Sequence, residues 1–152
     1  AIEFSNDAHK EYTVNKITKI LNGVEYKKIA ILGLSFKEGT DDIRESPSIY
    51  IVKSLLAKNA LVKVFDPIAM TKAKKVLPNT EMLYFGKDAY EIVNGADALI
   101  VAVEWKQFTN LDFNYIATLM KEKIIFDLKN ILDGRKLCEF TYIRSGFKVF
   151  TF

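Results

Sequence analysis

Two cations, Lys37 and Arg44, lie in a loop that leaves an apolar run at Gly33 and ends at Ser46-Pro47. The stretch from Ile29 to Pro47 reads IAILGLSFKEGTDDIRESP. Ile29 to Leu32 form a run of strand length, and Gly33 lets the backbone turn or approach a ligand with no side chain in the way. Ser46 before Pro47 marks a helix start, since a serine oxygen can cap free amides and proline suits the first helical position. A strand that breaks into a charged, glycine-containing loop and opens a helix is where open α/β sheets hold anionic ligands. Lys37 offers a point charge to a phosphate or sugar oxygen, and Arg44 a planar fork for bidentate contact. Asp41 and Asp42 are assigned to organising the loop. The glycine spacing is neither GxGxxG nor a P-loop, so a surface turn with solvated charges accounts for these residue types equally well.

Other residues with chemical potential have simpler readings. The single Cys138 sits in KLCEF, on a predicted helix with no glycine-rich loop or histidine beside it, and reads as an inert structural thiol. His9, on an N-terminal helix without a partner acid at helical spacing, reads as packed or solvated. Asp66 ends a strand where a dinucleotide fold would hold a ribose hydroxyl, but Asp66-Pro67 is also a turn initiator, and that reading is preferred. Trp105 follows a strand near the ligand edge, with Phe108 and Leu111 as packing partners. The sequence singles out no catalytic side chain and no metal ligand.

The elements that must position the loop alternate. Strands are predicted at Lys28 to Gly33, Leu61 to Phe65, Met82 to Phe85, Ala98 to Val103, Ile124 to Phe126 and Lys148 to Phe150. Helices are predicted at Asn6 to Leu21, around Ile49 to Leu56, and at Met70 to Val76, Asp88 to Asn94, Asn114 to Met120 and Asp133 to Ile143. In the first of these, Tyr12, Ile17, Ile20 and Leu21 are the apolar positions. Continuous apolar strands between helices predict an α/β fold: a doubly wound, mainly parallel, six-stranded Rossmann-like sheet with helices on both faces, preceded by the end of a long helix. Right-handed crossovers put the strand-end loops on one edge.

With 152 residues, 49% of them hydrophobic, the chain can bury one sizeable core. A formal charge of +3, from scattered basic residues, is weak for a nucleic-acid binder, so no nucleic-acid partner is expected. No apolar run reaches membrane-spanning length, the N-terminus lacks signal-peptide character, and one cysteine suits a reducing compartment, so no membrane partner and cytoplasmic residence are expected.

The string GLSFKEGTDDIRESP resembles the start of the C-terminal domain of the UDP-glucose/GDP-mannose dehydrogenase family, approximately GLxFKxxTDDxRxSP. VFDP at Val64 to Pro67, ADALIVAVEW at Ala96 to Trp105, IFDLKNILD at Ile125 to Asp133 and SGFKVF at Ser145 to Phe150 agree in order and spacing. The resemblance implies an enzyme in which an N-terminal Rossmann domain binds NAD, a central helix builds a homodimer, and the C-terminal domain binds a UDP-sugar. The complete enzyme then oxidises a sugar C6 alcohol to a carboxylate in two NAD-dependent steps, through a cysteine in a glycine-rich motif that this chain lacks. It divides the chain into residues 1–24, the tail of the dimer helix, and 25–152, the nucleotide-sugar domain.

Carried over position by position, the resemblance makes Phe36 and Lys37 nucleotide-sugar contacts and takes Arg44 to the NAD pyrophosphate held by the N-terminal domain. Family members read Asp-Gly-Arg-Asn where this chain has Asp127-Leu128-Lys129-Asn130. Lys129 then takes the place of an arginine that reaches substrate from the neighbouring subunit, and Asn130 orients its loop. Lysine keeps the charge without the fork. Leu128, which adopts positive φ less cheaply than glycine, is expected to move the loop backbone. The sugar is read as UDP-glucose; UDP-N-acetylmannosamine, GDP-mannose, or a non-catalytic nucleotide-binding or oligomerisation module are the alternatives.

Overall fold

The computed structural model describes residues 2–151, with side chains from 7 to 150. Its sheet is built where the apolar runs are longest. Strands β1 (Lys28–Leu32), β2 (Leu61–Phe65), β3 (Leu83–Phe85), β4 (Ala98–Val101), β5 (Ile124–Asp127), β6 (Thr141–Arg144) and β7 (Val149–Thr151) form one sheet in the order β3-β2-β1-β4-β5-β6-β7. All neighbours are parallel except β6 and β7, which are antiparallel. The prediction of a doubly wound sheet holds, with seven strands in place of six.

Helices α1 (Ile2–Ile20), α2 (Pro47–Ala57) and α3 (Met70–Val76) cover one face, and α4 (Ala89–Val93), α5 (Lys106–Thr109) and α6 (Phe113–Leu119) the other. Alternation along the central strands divides the core. Ile29 and Ile31 of β1 and Ala98 and Ile100 of β4 face α1 and α2, whereas Ala30, Leu32, Leu99 and Val101 face α4 and α6. Both faces of these strands are sealed, which is why they read as unbroken apolar runs. Val14 and Ile17 on α1, and Leu21 just past its end, join the first core, whereas Tyr12 and Ile20, predicted as part of the same apolar face, stay exposed.

The segment from Asp133 to Ile143 is not the predicted helix. Asp133 caps a single 3-10 turn, Gly134–Lys136, and the chain then enters β6. Leu137 and Phe140 plug the second core, and Tyr142 and Ile143 point to opposite faces of a strand. Their three-residue spacing imitated a helix, but Thr-Tyr-Ile is strand-forming and pairs fully with β5. Cys138 therefore lies just past a turn, exposed, with its thiol donating to the Arg135 carbonyl, and it is neither helical nor buried.

The chain leaves β1 toward β2 on one side and β4 toward β5 on the other. The topological switch point therefore falls between β1 and β4, and the loop 33–46 rises from it at the carboxyl edge of the sheet.

Candidate functional site

The root of the loop after β1 is pinned from three directions. Gly33, at φ +98°, donates its N–H to the Phe65 carbonyl, and a Cβ built there would lie 2.5 Å from the Val103 Cβ, so glycine is required both by conformation and by the close approach of the β4 exit. Asp66, at the end of β2 and 1% exposed, accepts the N–H groups of Leu34 (2.7 Å) and Ser35 (3.1 Å) on Oδ2, and those of Ile68 (2.9 Å) and Ala69 (2.8 Å) on Oδ1. Ser46 precedes Pro47 as expected, but its hydroxyl does not cap α2. It donates to the Leu34 carbonyl at 2.8 Å, while the Ser48 hydroxyl donates to the Gly33 carbonyl. Both serines are turned back to hold the loop, leaving the first amides of α2 without a side-chain cap.

Beyond this root the loop closes on itself. The Phe36 N–H donates to the Asp42 carbonyl at 2.7 Å, and the Ser35 hydroxyl to the Lys37 carbonyl at 2.7 Å. The tip so formed carries Phe36, 47% exposed, and the exposed Lys37, Glu38 and Gly39. Asp41 and Asp42 organise the loop as expected: Asp41 pairs with Lys72 at 3.0 Å, and Asp42 receives the Arg44 N–H, Nε and Nη2. That bidentate pairing drives the Asp42 carboxyl down to about 2 and raises the Arg44 guanidinium above its ordinary value. Arg44 is almost fully exposed and shares an open cleft of about 330 Å³ with Phe36.

A second loop is rooted in the same way at the end of β5. Asp127, fully buried, accepts the Leu132 N–H at 2.9 Å and the Tyr142 hydroxyl at 2.6 Å on Oδ2, and the Lys129 N–H at 3.2 Å on Oδ1. Burial first, and the bond to Asp127 second, hold the Tyr142 phenol far above its ordinary range. Asn130, at φ +56°, accepts the Ser145 N–H at 2.8 Å and ties the loop to the turn between β6 and β7. Leu128 is not among the positive-φ residues, and it packs half-buried against the first core.

The two loops meet at Glu104, just past β4. Its Oε1 accepts the Glu38 N–H at 3.3 Å and its Oε2 lies 3.8 Å from Lys129 Nζ. The tip bearing Phe36 and Lys37 is thereby joined to Lys129, while Arg44, paired with Asp42, shares its cleft with Phe36 and has no hydrogen bond or ion pair to Glu104 or Lys129 among the described residues. Sequence reasoning weighed Trp105 and passed over Glu104. Trp105 packs on the second core as expected, its Nε1 buried without a hydrogen-bond partner among the described residues. A cavity of about 110 Å³ opens beside Lys129, between Pro47, Leu128, Phe147 and the α1 residues His9 and Thr13; the His9 ring stacks on Tyr12.

The first βα turn also bears on NAD. In a dinucleotide site the turn amides face a pyrophosphate and the acid ending β2 takes a ribose hydroxyl. Here the amides of Leu34 and Ser35 are engaged by that very acid, Asp66. The residues present do not fit a dinucleotide cradle.

Residues 30–134 match the model of the UDP-glucose/GDP-mannose dehydrogenase family, UDP binding domain. The chain is 42% identical to the UDP-glucose 6-dehydrogenase of Rickettsia conorii, covering 98% of this chain and 35% of that protein. It is 39% identical to the UDP-glucose 6-dehydrogenase of Rhizobium meliloti, covering 83% and 28%. Among solved structures, a UDP-glucose dehydrogenase from Pyrobaculum islandicum superposes with a TM-score of 0.72 at 29% identity, over 86% of this chain and 28% of that one. The UDP-N-acetyl-mannosamine dehydrogenase of Staphylococcus aureus gives 0.72 at 26%, over 92% and 31%. This chain thus spans about a third of the length of the curated relatives it matches. With the switch-point loop and the FKxxTDDxRxSP string both inside the matched region, and the match covering more than half of the residues, the chain belongs to the UDP-glucose/GDP-mannose dehydrogenase family.

Proposed function

We propose that this chain binds the UDP part of UDP-glucose within an NAD-dependent dehydrogenase that oxidises the sugar to UDP-glucuronate. The observation that carries this reading is the meeting of the loop tip, through the Glu38 N–H, and the Lys129 ammonium on the Glu104 carboxylate at the switch point, since an amide and a cation held together are donors that a phosphate oxygen accepts from. Phe36 offers its exposed ring to the nucleotide-sugar, Lys37 binds phosphate oxygens, Lys129 does so within the same chain, where Glu104 joins it to the loop tip, instead of from a neighbouring subunit as the resemblance implied, and Asn130 keeps the Lys129 loop in place. None of these is an acid, base or nucleophile in the reaction. Their contribution is to fix the substrate, and orientation can supply up to roughly 7–11 kcal/mol of a barrier.

NAD belongs, in this reading, to another domain of the full-length enzyme, with Arg44 reaching its pyrophosphate once the Asp42 pairing is exchanged. The exposed Tyr12 and Ile20 on α1 suit the tail of a helix that builds a homodimer. Calorimetric titration of UDP, UDP-glucose, GDP and NAD into this chain tests the assignment. UDP and UDP-glucose should bind, GDP more weakly, and NAD not measurably. Absence of UDP binding by the folded chain overturns it, and NADH formation from UDP-glucose by this chain alone overturns the division of labour.

A further inference from the structure

Glu104 is oddly placed for a site that binds an anion. Its carboxylate touches two groups, the Glu38 N–H at 3.3 Å and the Lys129 ammonium at 3.8 Å, and both are donors a phosphate would seek. Each contact is longer than the roughly 2.7–2.9 Å of a well-made charge-assisted bond, so neither donor is saturated. The side chains of Glu104 and Lys129 are each 35% exposed, within reach of an incoming ligand. The backbone beneath Glu104 is held on both sides, because the partly buried Trp105 ring packs against the second core and the buried Val103 lies against Gly33. Only the side chain of Glu104 is free to move away.

We propose that Glu104 stands in for a ligand phosphate. In the free chain its carboxylate holds the loop-tip amide and the Lys129 ammonium where a diphosphate oxygen takes them, and ligand binding displaces it by side-chain rotation alone. Glu104 is in this sense a positioning residue that also competes with the ligand. The inference rests on reading the two loops as a nucleoside-diphosphate site and adds to it the residue that sets the affinity.

Glu104→Gln preserves an acceptor for the Glu38 N–H and removes the ion pair. Titrated into this chain, UDP and inorganic pyrophosphate should each bind about two- to fivefold more tightly to the variant, the range expected when a competing exposed ion pair is removed. Uridine, which has no phosphate, should bind both proteins alike. In a Lys129→Ala background the gain from Glu104→Gln should vanish, since the carboxylate then faces no ammonium. Glu38→Gln, which removes a neighbouring charge but leaves its own N–H, should not reproduce the gain.

Unchanged or weaker binding by Glu104→Gln overturns the stand-in role while leaving the nucleotide site intact, and so does an equal gain from Glu38→Gln or a gain that survives Lys129→Ala. If pyrophosphate follows the expected pattern but UDP binds no better than pyrophosphate, the stand-in holds and the nucleotide reading fails. Should neither ligand bind the wild type or Glu104→Gln, both readings fall. A thermal midpoint for Glu104→Gln close to wild type ensures that the comparison is between folded proteins.

Discussion

Replacing Asp66 by asparagine tests whether one buried carboxylate holds the site loop in place. Asp66 accepts four backbone N–H groups, two on each oxygen, and three of those bonds are 2.9 Å or shorter. Asparagine has the same shape but only one acceptor oxygen, so its NH2 must face one pair of N–H donors. Each donor left without a partner costs about 1–3 kcal/mol, which makes about 2–6 kcal/mol for the pair. That is a large part of the roughly 5–15 kcal/mol by which a domain of this size is stable. At about 2–4 °C per kcal/mol, the unfolding midpoint should fall by about 4–24 °C in calorimetry or circular dichroism. UDP affinity, measured below the new midpoint, should fall as well, because Leu34 and Ser35 at the loop root lose their anchor. A midpoint within about 2 °C of wild type would refute the reasoning and show that the serine contacts suffice to hold the loop.

Lys37→Ala and Lys129→Ala should each weaken UDP binding by about 1.5–3 kcal/mol in calorimetry, the worth of a hydrogen bond to a charged group, with uridine binding little changed. Lys129→Arg should tighten UDP binding through a second hydrogen bond, but Leu128→Gly should lower stability without improving binding, since Leu128 packs on the core. Arg44→Ala should return the Asp42 carboxyl from about 2 toward its ordinary 3.8 in a carboxyl NMR titration; because the folded value is the depressed one, the pair's contribution is present above pH 3.8 and disappears as pH falls toward 2. Tyr142→Phe should cost about 1–3 kcal/mol by depriving Asp127 of a donor. Since folding raises the Tyr142 value, its contribution is present up to about pH 10 and lost above it, and that alkaline component of unfolding should be missing from the variant.

The parts of this fold that could be read from the chain are those where local and tertiary preference agree. β1, β2 and β4 are buried on one or both faces and carry branched residues, so periodicity and burial point the same way. The loop 33–46 was legible as the loop leaving β1 because Gly33, Lys37 and Ser46-Pro47 punctuate it, although the use of Ser46 was misjudged: whether a hydroxyl caps its own helix or reaches back 12 residues depends on the fold. Asp133 to Ile143 went wrong because Asp133 does cap a turn, and Leu137, Phe140 and Ile143 repeat at a helical interval. What decides against a helix is the partner strand β5, which local sequence does not display. Glu104 and Asp127 were given no role for a related reason, since an isolated acid shows its purpose only when its partners come from other elements. A signal did exist in the recurrence of Phe-Asp at the ends of two strands, VFD and IFD.

Those two aspartates have a thermodynamic consequence. Asp66 and Asp127 stand at the ends of strands on opposite sides of the switch point, and each immobilises the first residues of a site loop by gathering their amides. The conformational entropy of those loop roots is therefore surrendered when the chain folds, once, and is not charged again to each binding event. Only the tip, Phe36 to Gly39, and the side chains of Lys129 and Glu104 remain to be ordered by a ligand. Association of a ligand with this candidate site should thus resemble docking onto a rigid rim with a few movable side chains.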